Sequence, residues 1–237
     1  MEENNKGGKM SFWLGFFAGL AVVSLLGFSI MLGMFLKGEP TEAGTNNAPV
    51  VENPNDTAPE QQVLPVRAIS DEEYVLGDRN AKVQIIVYDD FECPYCLRHN
   101  DTMKQIRSTY GDKVAITYRH FPLSFHDNAL KASEAAECAG EQGKFFEMIE
   151  QLFVDNENGT MGVAQFKKDA VTLKLNASQF NECLDSGKYE SAIYAQQEEG
   201  FSFGVNGTPG TFVNGQLVSG AVPFAQFQTA IDSILAQ

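Results

Sequence analysis

The feature that most restricts this chain is a pair of cysteines, Cys93 and Cys96, placed where one periodicity gives way to another. Before them, "KVQIIVYDD" (82–90) is a short apolar, β-branched run, the pattern of a buried strand. After them, Pro94 to about Tyr110 reads as a helix, with proline tolerated in its first turn. A strand running into a helix through Cys-Pro-Tyr-Cys sets Cys93 at the helix N-terminus. There, unpaired backbone N–H groups and the macrodipole favour an anion. A thiol pKa of about 8.5 falls under those conditions until thiolate is present at neutral pH. Cys96 lies one turn further on, on the same face, placed to attack a mixed disulfide formed at Cys93. Pro94 stiffens the turn, and Tyr95 offers a flat, neutral surface.

The spacing alone admits three chemistries. A zinc site needs two further ligands, usually a second CxxC or paired histidines. Cys138 and Cys183 stand singly, and His99, His120 and His126 have no matching spacing, so no metal is expected. A structural disulfide between Cys93 and Cys96 closes a loop too short to be needed for stability. Thiol–disulfide exchange is the reading these residues favour.

The rest of the chain supplies the setting. "KVAITYRHF" (113–121) is a second strand, and the pattern from Asn128 to about Lys188 is helical. "TPGTFVNGQLVSG" (208–220) predicts a hairpin turning at Asn214-Gly215, and "PFAQFQTAIDSIL" closes the chain as an amphipathic helix. This order predicts an α/β sheet layered with helices and a helical insertion at about 126–190.

Upstream, residues 1–10 are polar, and Ser11 to Leu36 contains no charged residue. A bilayer core needs about 20 apolar residues in a helix, so 11–36 is expected to be a transmembrane anchor. The run exceeds the roughly 7–15 apolar residues of a cleavable signal, although a weak site ending at Ala43 leaves removal as the alternative. Residues 37–65, rich in Pro, Asn, Thr and Glu, predict a flexible linker. The expected organisation is a cytoplasmic tail (1–10), the anchor, the linker, and one domain (66–237) outside the cytoplasm. A net charge of −14 argues against nucleic acid as partner.

"VLGDRNAKVQIIVYDDFECPYC", "YRHFPLSFHDNALKASEAAECAGEQGKFFEMIEQLF" and "GVNGTPGTFVNG" together resemble the DsbA-like branch of the thioredoxin superfamily, in its membrane-anchored bacterial form. The resemblance covers about residues 70–237. It implies a thioredoxin-like fold interrupted by a helical domain, and dithiol–disulfide oxidoreductase activity with no dissociable cofactor. Cys93 would be the exposed attacking thiol and Cys96 the buried resolving one. Thr208 and Pro209, with a cis peptide between them, would form the facing loop, beside Pro94 and Tyr95. Without the resemblance, "GTPG" reads only as a turn.

One departure stands out. Proteins of this type commonly carry a buried carboxylate six residues before the first cysteine, and here that position is Val87. Asp89, Asp90 and Glu92 are near, but capping or turn roles suit Asp90 and Glu92 equally.

Cys138 and Cys183 can form a structural disulfide in an oxidising compartment or remain two buried thiols. His99 is expected to be a partly exposed surface residue, and His126 a helix-start residue. Phe91, Tyr95, Phe121 and Leu123 are either an apolar rim for substrate or core aromatics. "DNENGTMG" (155–162) is expected to be a helix–helix loop.

The expected function is extracytoplasmic disulfide formation in reduced or unfolded secreted and membrane proteins, with reoxidation by a membrane quinone-linked thiol oxidase. The alternatives are a reductase or isomerase using the same site, and a non-catalytic, membrane-anchored binding module with a structural or zinc-bound CxxC.

Overall fold

A computed structural model describes residues 64–237. The expected tail, anchor and most of the linker lie outside the described residues. No helix among the described residues is long and apolar enough to cross a membrane. Leu64 already donates its N–H to the Ser202 carbonyl at 2.9 Å, so the chain is tied to the domain from that point.

Four strands form the sheet: β1 (Val83–Asp89), β2 (Val114–His120), β3 (Gly210–Val213) and β4 (Gln216–Ser219). Their spatial order is β2-β1-β3-β4. β1 runs parallel to β2 and antiparallel to β3, which pairs antiparallel with β4. Every residue of β2, and all but Gln84 of β1, is buried, which explains why both read as apolar runs rather than alternating ones. Asn214 and Gly215 take positive φ values of 44° and 86°, the left-handed geometry a tight two-residue hairpin requires.

Alternation along β1 divides the interior. Val83, Ile85 and Val87 face a large core shared with α1 (Pro94–Tyr110) and the C-terminal helix α7 (Phe224–Leu235). Ile86 and Tyr88 face a smaller cluster with Phe121, Phe203, Val205 and Phe212. Five helices lie between β2 and β3: α2 (Ala129–Gly140), α3 (Phe145–Asn158), α4 (Val163–Thr172), α5 (Ala177–Ser186) and α6 (Glu190–Ser202). The helical segment thus extends past the expected end near residue 190. The added length is α6, which lies against the sheet. A Cβ on Gly200 would sit 2.9 Å from the Tyr88 ring, so glycine lets α6 approach this closely.

Arg119 on β2 is fully buried. Its guanidinium pairs with Glu73 at 2.7 Å, and it donates to Tyr88 Oη at 3.1 Å and to the Arg67 carbonyl at 3.0 Å. A buried charge is tolerable only with partners of this kind, and these hold the segment before β1 against the sheet.

Candidate active site

Cys93 is the N-cap of α1, with extended backbone (φ −74°, ψ 125°), and Pro94 opens the helix. Its sulfur faces the Thr208 carbonyl at 3.7 Å, and the Thr208–Pro209 peptide is cis. Two segments 115 residues apart in sequence therefore meet at this sulfur. No disulfide joins Cys93 to Cys96 in this structure. The expected exposure of Cys93 needs correction: it is only 3% exposed, against 0% for Cys96.

The two thiols are driven apart in acidity. Hydrogen bonding from the Cys96 thiol brings Cys93 down to about 5, against the opposing effect of burial, and the N–H groups of Cys96 and Tyr95 at the helix start contribute in the same direction. Burial pushes Cys96 well above the ordinary thiol value, reinforced by the hydrogen bond to Cys93 and by the Asp89 charge. One thiol is ionised at neutral pH and its neighbour holds its proton.

Adjacent aspartates have opposite surroundings. Asp90 is buried and satisfied: its carboxylate accepts from the N–H groups of Glu92 and Leu123 at 2.8 Å each, and meets His126 Nδ1 at 2.8 Å. Asp90 is therefore a turn residue, and His126 locks it rather than starting a helix. Glu92 accepts from the Asn128 N–H and Nδ2 at 2.6 and 2.8 Å. Asn156 Nδ2 donates to the Phe91 carbonyl at 2.8 Å. These contacts clamp the loop before Cys93 onto the helical segment.

Asp89 is fully buried, and neither carboxylate oxygen has a hydrogen-bond partner of ordinary geometry. Burial raises its carboxyl to about 8, although the Cys96 thiol lies close enough to draw it partly back down. Sequence reasoning did not single out Asp89. The signal was present, since residues two apart on a strand share a face and Val87 is a core residue.

Other expectations are resolved by burial. His99 is not on the surface: it is fully buried, its Nε2 lies 2.9 Å from Thr211 Oγ1, and burial lowers its pKa to about 4. It is a neutral strut between α1 and β3. Phe91 and Phe121 are fully buried core residues, whereas Tyr95 is 57% exposed beside the Cys93 approach. Phe125 is also exposed, packed against His126. Cys138 on α2 and Cys183 on α5 are joined by a disulfide, with Cα atoms 5.9 Å apart. Residues 155–158 of "DNENGTMG" complete α3, and Gly159 caps it in the left-handed conformation. No group of three or more metal-ligating side chains occurs among the described residues.

The thioredoxin family profile matches residues 70–233, the larger part of the chain. The chain belongs to the thioredoxin family. Within that family its architecture is DsbA-like, a thioredoxin sheet interrupted by helices. The Bacillus subtilis protein BdbD in its oxidised form superposes with a TM-score of 0.65 at 18% identity, covering 74% of this chain and 100% of that one. Wolbachia pipientis alpha-DsbA1 gives a TM-score of 0.63 at 22% identity, covering 71% and 93%. A thioredoxin-like oxidoreductase from Silicibacter pomeroyi gives 0.62 at 24% identity, covering 71% and 95%. In sequence, this thioredoxin-family chain is 30% identical over 172 residues to a Na(+)/H(+) antiporter NhaA 1 of Mycobacterium sp. strain KMS. It spans 71% of this chain but only 28% of that antiporter, so the likeness is to a segment of a much longer protein.

Proposed function

We propose that this chain is a membrane-tethered, extracytoplasmic thiol–disulfide oxidoreductase that donates disulfides to secreted and membrane proteins. The observation that carries the reading is the acidic thiol of Cys93, held at a helix N-terminus between Cys96 and the Thr208–Pro209 loop. A substrate thiolate attacks Cys93 of the Cys93–Cys96 disulfide, and Cys96 leaves. A second substrate thiolate then attacks the substrate sulfur of the mixed disulfide, and Cys93 leaves as thiolate. Two electrons pass from the substrate dithiol to the enzyme, and a membrane quinone-linked thiol oxidase removes them again. Tyr95 and Pro94 flank the approach, and the backbone beside Pro209 offers extended pairing to a substrate segment.

Direction follows from the same acidity. Stabilising the Cys93 thiolate favours the reduced enzyme, which makes its disulfide the stronger oxidant. This favours oxidase over reductase. The Cys138–Cys183 bridge supports a compartment in which disulfides persist.

The test is Cys96→Ala in cells. Mixed disulfides trapped through Cys93 are expected, and an absence of trapped species would sink the reading. Iodoacetamide should modify Cys93 with a midpoint near pH 5 rather than near 9. A reduction potential near about −120 mV fits an oxidase, and one near about −270 mV fits a reductase. It is best read by thiol alkylation, because the sole tryptophan, Trp13, is remote in sequence from the cysteines.

A further inference from the structure

Two helix faces meet beside Cys93. Leu97, Asp101 and Lys104 recur at four and three along α1, and Glu150, Val154 and Glu157 do the same along α3. Between them lies an open groove of about 310 Å³, room for a side chain rather than a whole ligand. The helices run in opposite directions along it. At one end Lys104 pairs with Glu150, and at the other Asn156 of α3 donates to the Cys93 carbonyl at 3.4 Å. The groove therefore begins at the reactive residue, where Pro94 lines it, with Glu157 toward that end and Asp101 further along.

Its chemistry is one-sided. Leu97, Phe153 and the exposed Val154 give it apolar walls. Its two cations are already engaged. Lys104 pairs with Glu150, and Arg98 lies 5.3 Å from the centroid of the Tyr95 ring and donates to the Ala221 carbonyl at 3.3 Å. Asp101 and Glu157 are exposed and belong to no ion pair among the described residues. Asn100, 1% exposed, lines the same groove. Its Nδ2 donates to Glu150 at 3.4 Å, and its Oδ1 is buried with no hydrogen-bond partner. An amide oxygen left bare in this way costs free energy until a donor meets it. Three acceptors without donors thus line one groove, in a chain of net charge −14.

We propose that this groove is a substrate subsite for a lysine or arginine side chain close in sequence to the substrate cysteine, an inference that rests on the oxidoreductase reading above. The methylene stem lies along Leu97, Phe153 and Val154, and the charged head donates to Asp101, Glu157 and Asn100 Oδ1. A substrate carboxylate there meets two like charges, so the same groove selects against acidic residues. Asp101 is about two turns along α1 from Cys93, or about 12 Å at 1.5 Å per residue. An extended chain covers about 3.3 Å per residue, which puts the basic residue about two to four positions from the cysteine bonded to Cys93.

The experiment measures how fast the oxidised full-length chain is reduced by short dithiol peptides, with thiol alkylation as readout. The peptides differ only at the third position to either side of the first cysteine, where they carry lysine, norleucine or glutamate. At low salt the lysine peptide should react about fivefold faster than the norleucine peptide, and the glutamate peptide slower than both. The advantage should shrink in about 1 M salt. Asp101→Asn combined with Glu157→Gln should bring the lysine and norleucine rates together. Glu182→Gln combined with Glu190→Gln removes the same charge from α5 and α6 and should keep the advantage, which separates the groove from the general field of an acidic protein. Equal lysine and norleucine rates in the wild type, or an advantage that survives loss of Asp101 and Glu157, overturn the subsite. So does an advantage that disappears equally in the Glu182 and Glu190 control. A wild-type chain that none of the peptides reduces overturns the oxidoreductase reading instead, before any variant is compared.

Discussion

The protein carries two cysteine pairs in regions of contrasting physics. Cys138 and Cys183 join two helices of the insertion, and the bridged sulfurs have no proton to manage. Cys93 and Cys96 are only two residues apart, yet one is ionised near neutral pH and the other retains its proton, with an unpartnered carboxyl beside them. The difference lies in the surroundings, since thiols are chemically the same everywhere. The Cys96 thiol and the N–H groups of the helix N-terminus polarise one pair, and helix-to-helix packing fixes the other. A reactive pair needs unmet polar groups nearby, and a structural pair needs none.

That contrast can be broken by exchanging the roles. Cys93→Ser should lower disulfide transfer to a reduced peptide by about 1,000-fold or more. Cys138→Ala combined with Cys183→Ala should leave the rate within about threefold, and a comparable loss in both would show the second pair taking part in exchange. In denaturant unfolding the order reverses. Removing the insertion bridge, which spans 45 residues, should cost up to about 4 kcal/mol in the chain-entropy model.

Acid sharpens the comparison on the redox side. His99 titrates near 6.5 when unfolded but only near 4 when folded, so between those values the unfolded chain binds more protons. Its contribution is present above pH 6.5 and is lost as pH falls toward 4, amounting to at most about 3 kcal/mol. His99→Gln should flatten the dependence of unfolding free energy on pH across that window. An unchanged slope would remove His99 from the account. Asp89 has the opposite sign. Its raised pKa means that stability declines as pH rises from 3.8 to about 8. Asp89→Asn should therefore raise the unfolding free energy at pH 7, by at most about 4 kcal/mol. The smallest effect concerns the clamp between regions. Asn156→Ala deletes the hydrogen bond to the Phe91 carbonyl and should cost about 1 kcal/mol, with transfer only slightly slowed.

Much of the site could be read directly because its signals are local. The strand, the cysteine spacing and the helix after Pro94 occupy one continuous stretch, and β1 and α1 form within a residue of the expected bounds. Asn214-Gly215 likewise specified its own turn. Burial could not be read in the same way. Phe91 and Phe121 suited either a rim or a core, and His99 is polar enough to suggest solvent. Only packing against Thr211 and Phe227 accounts for its place inside. The pairing of Cys138 with Cys183 likewise depended on how α2 and α5 pack, which no local pattern encodes.

By itself, the sequence determined the short-range part of this protein: a thiol at a helix N-terminus with a second thiol one turn on, because backbone geometry fixes neighbours three residues apart. It also restricted the far loop to a Thr208–Pro209 turn without saying what that turn faces. Tertiary structure alone decided which polar groups lost water. It satisfied Asp90 and left Asp89 bare, although the two are adjacent and identical in chemistry. Desolvation depends on everything packed around a group, and that is set by chain segments beyond the local turn, such as Leu123 and His126 around Asp90.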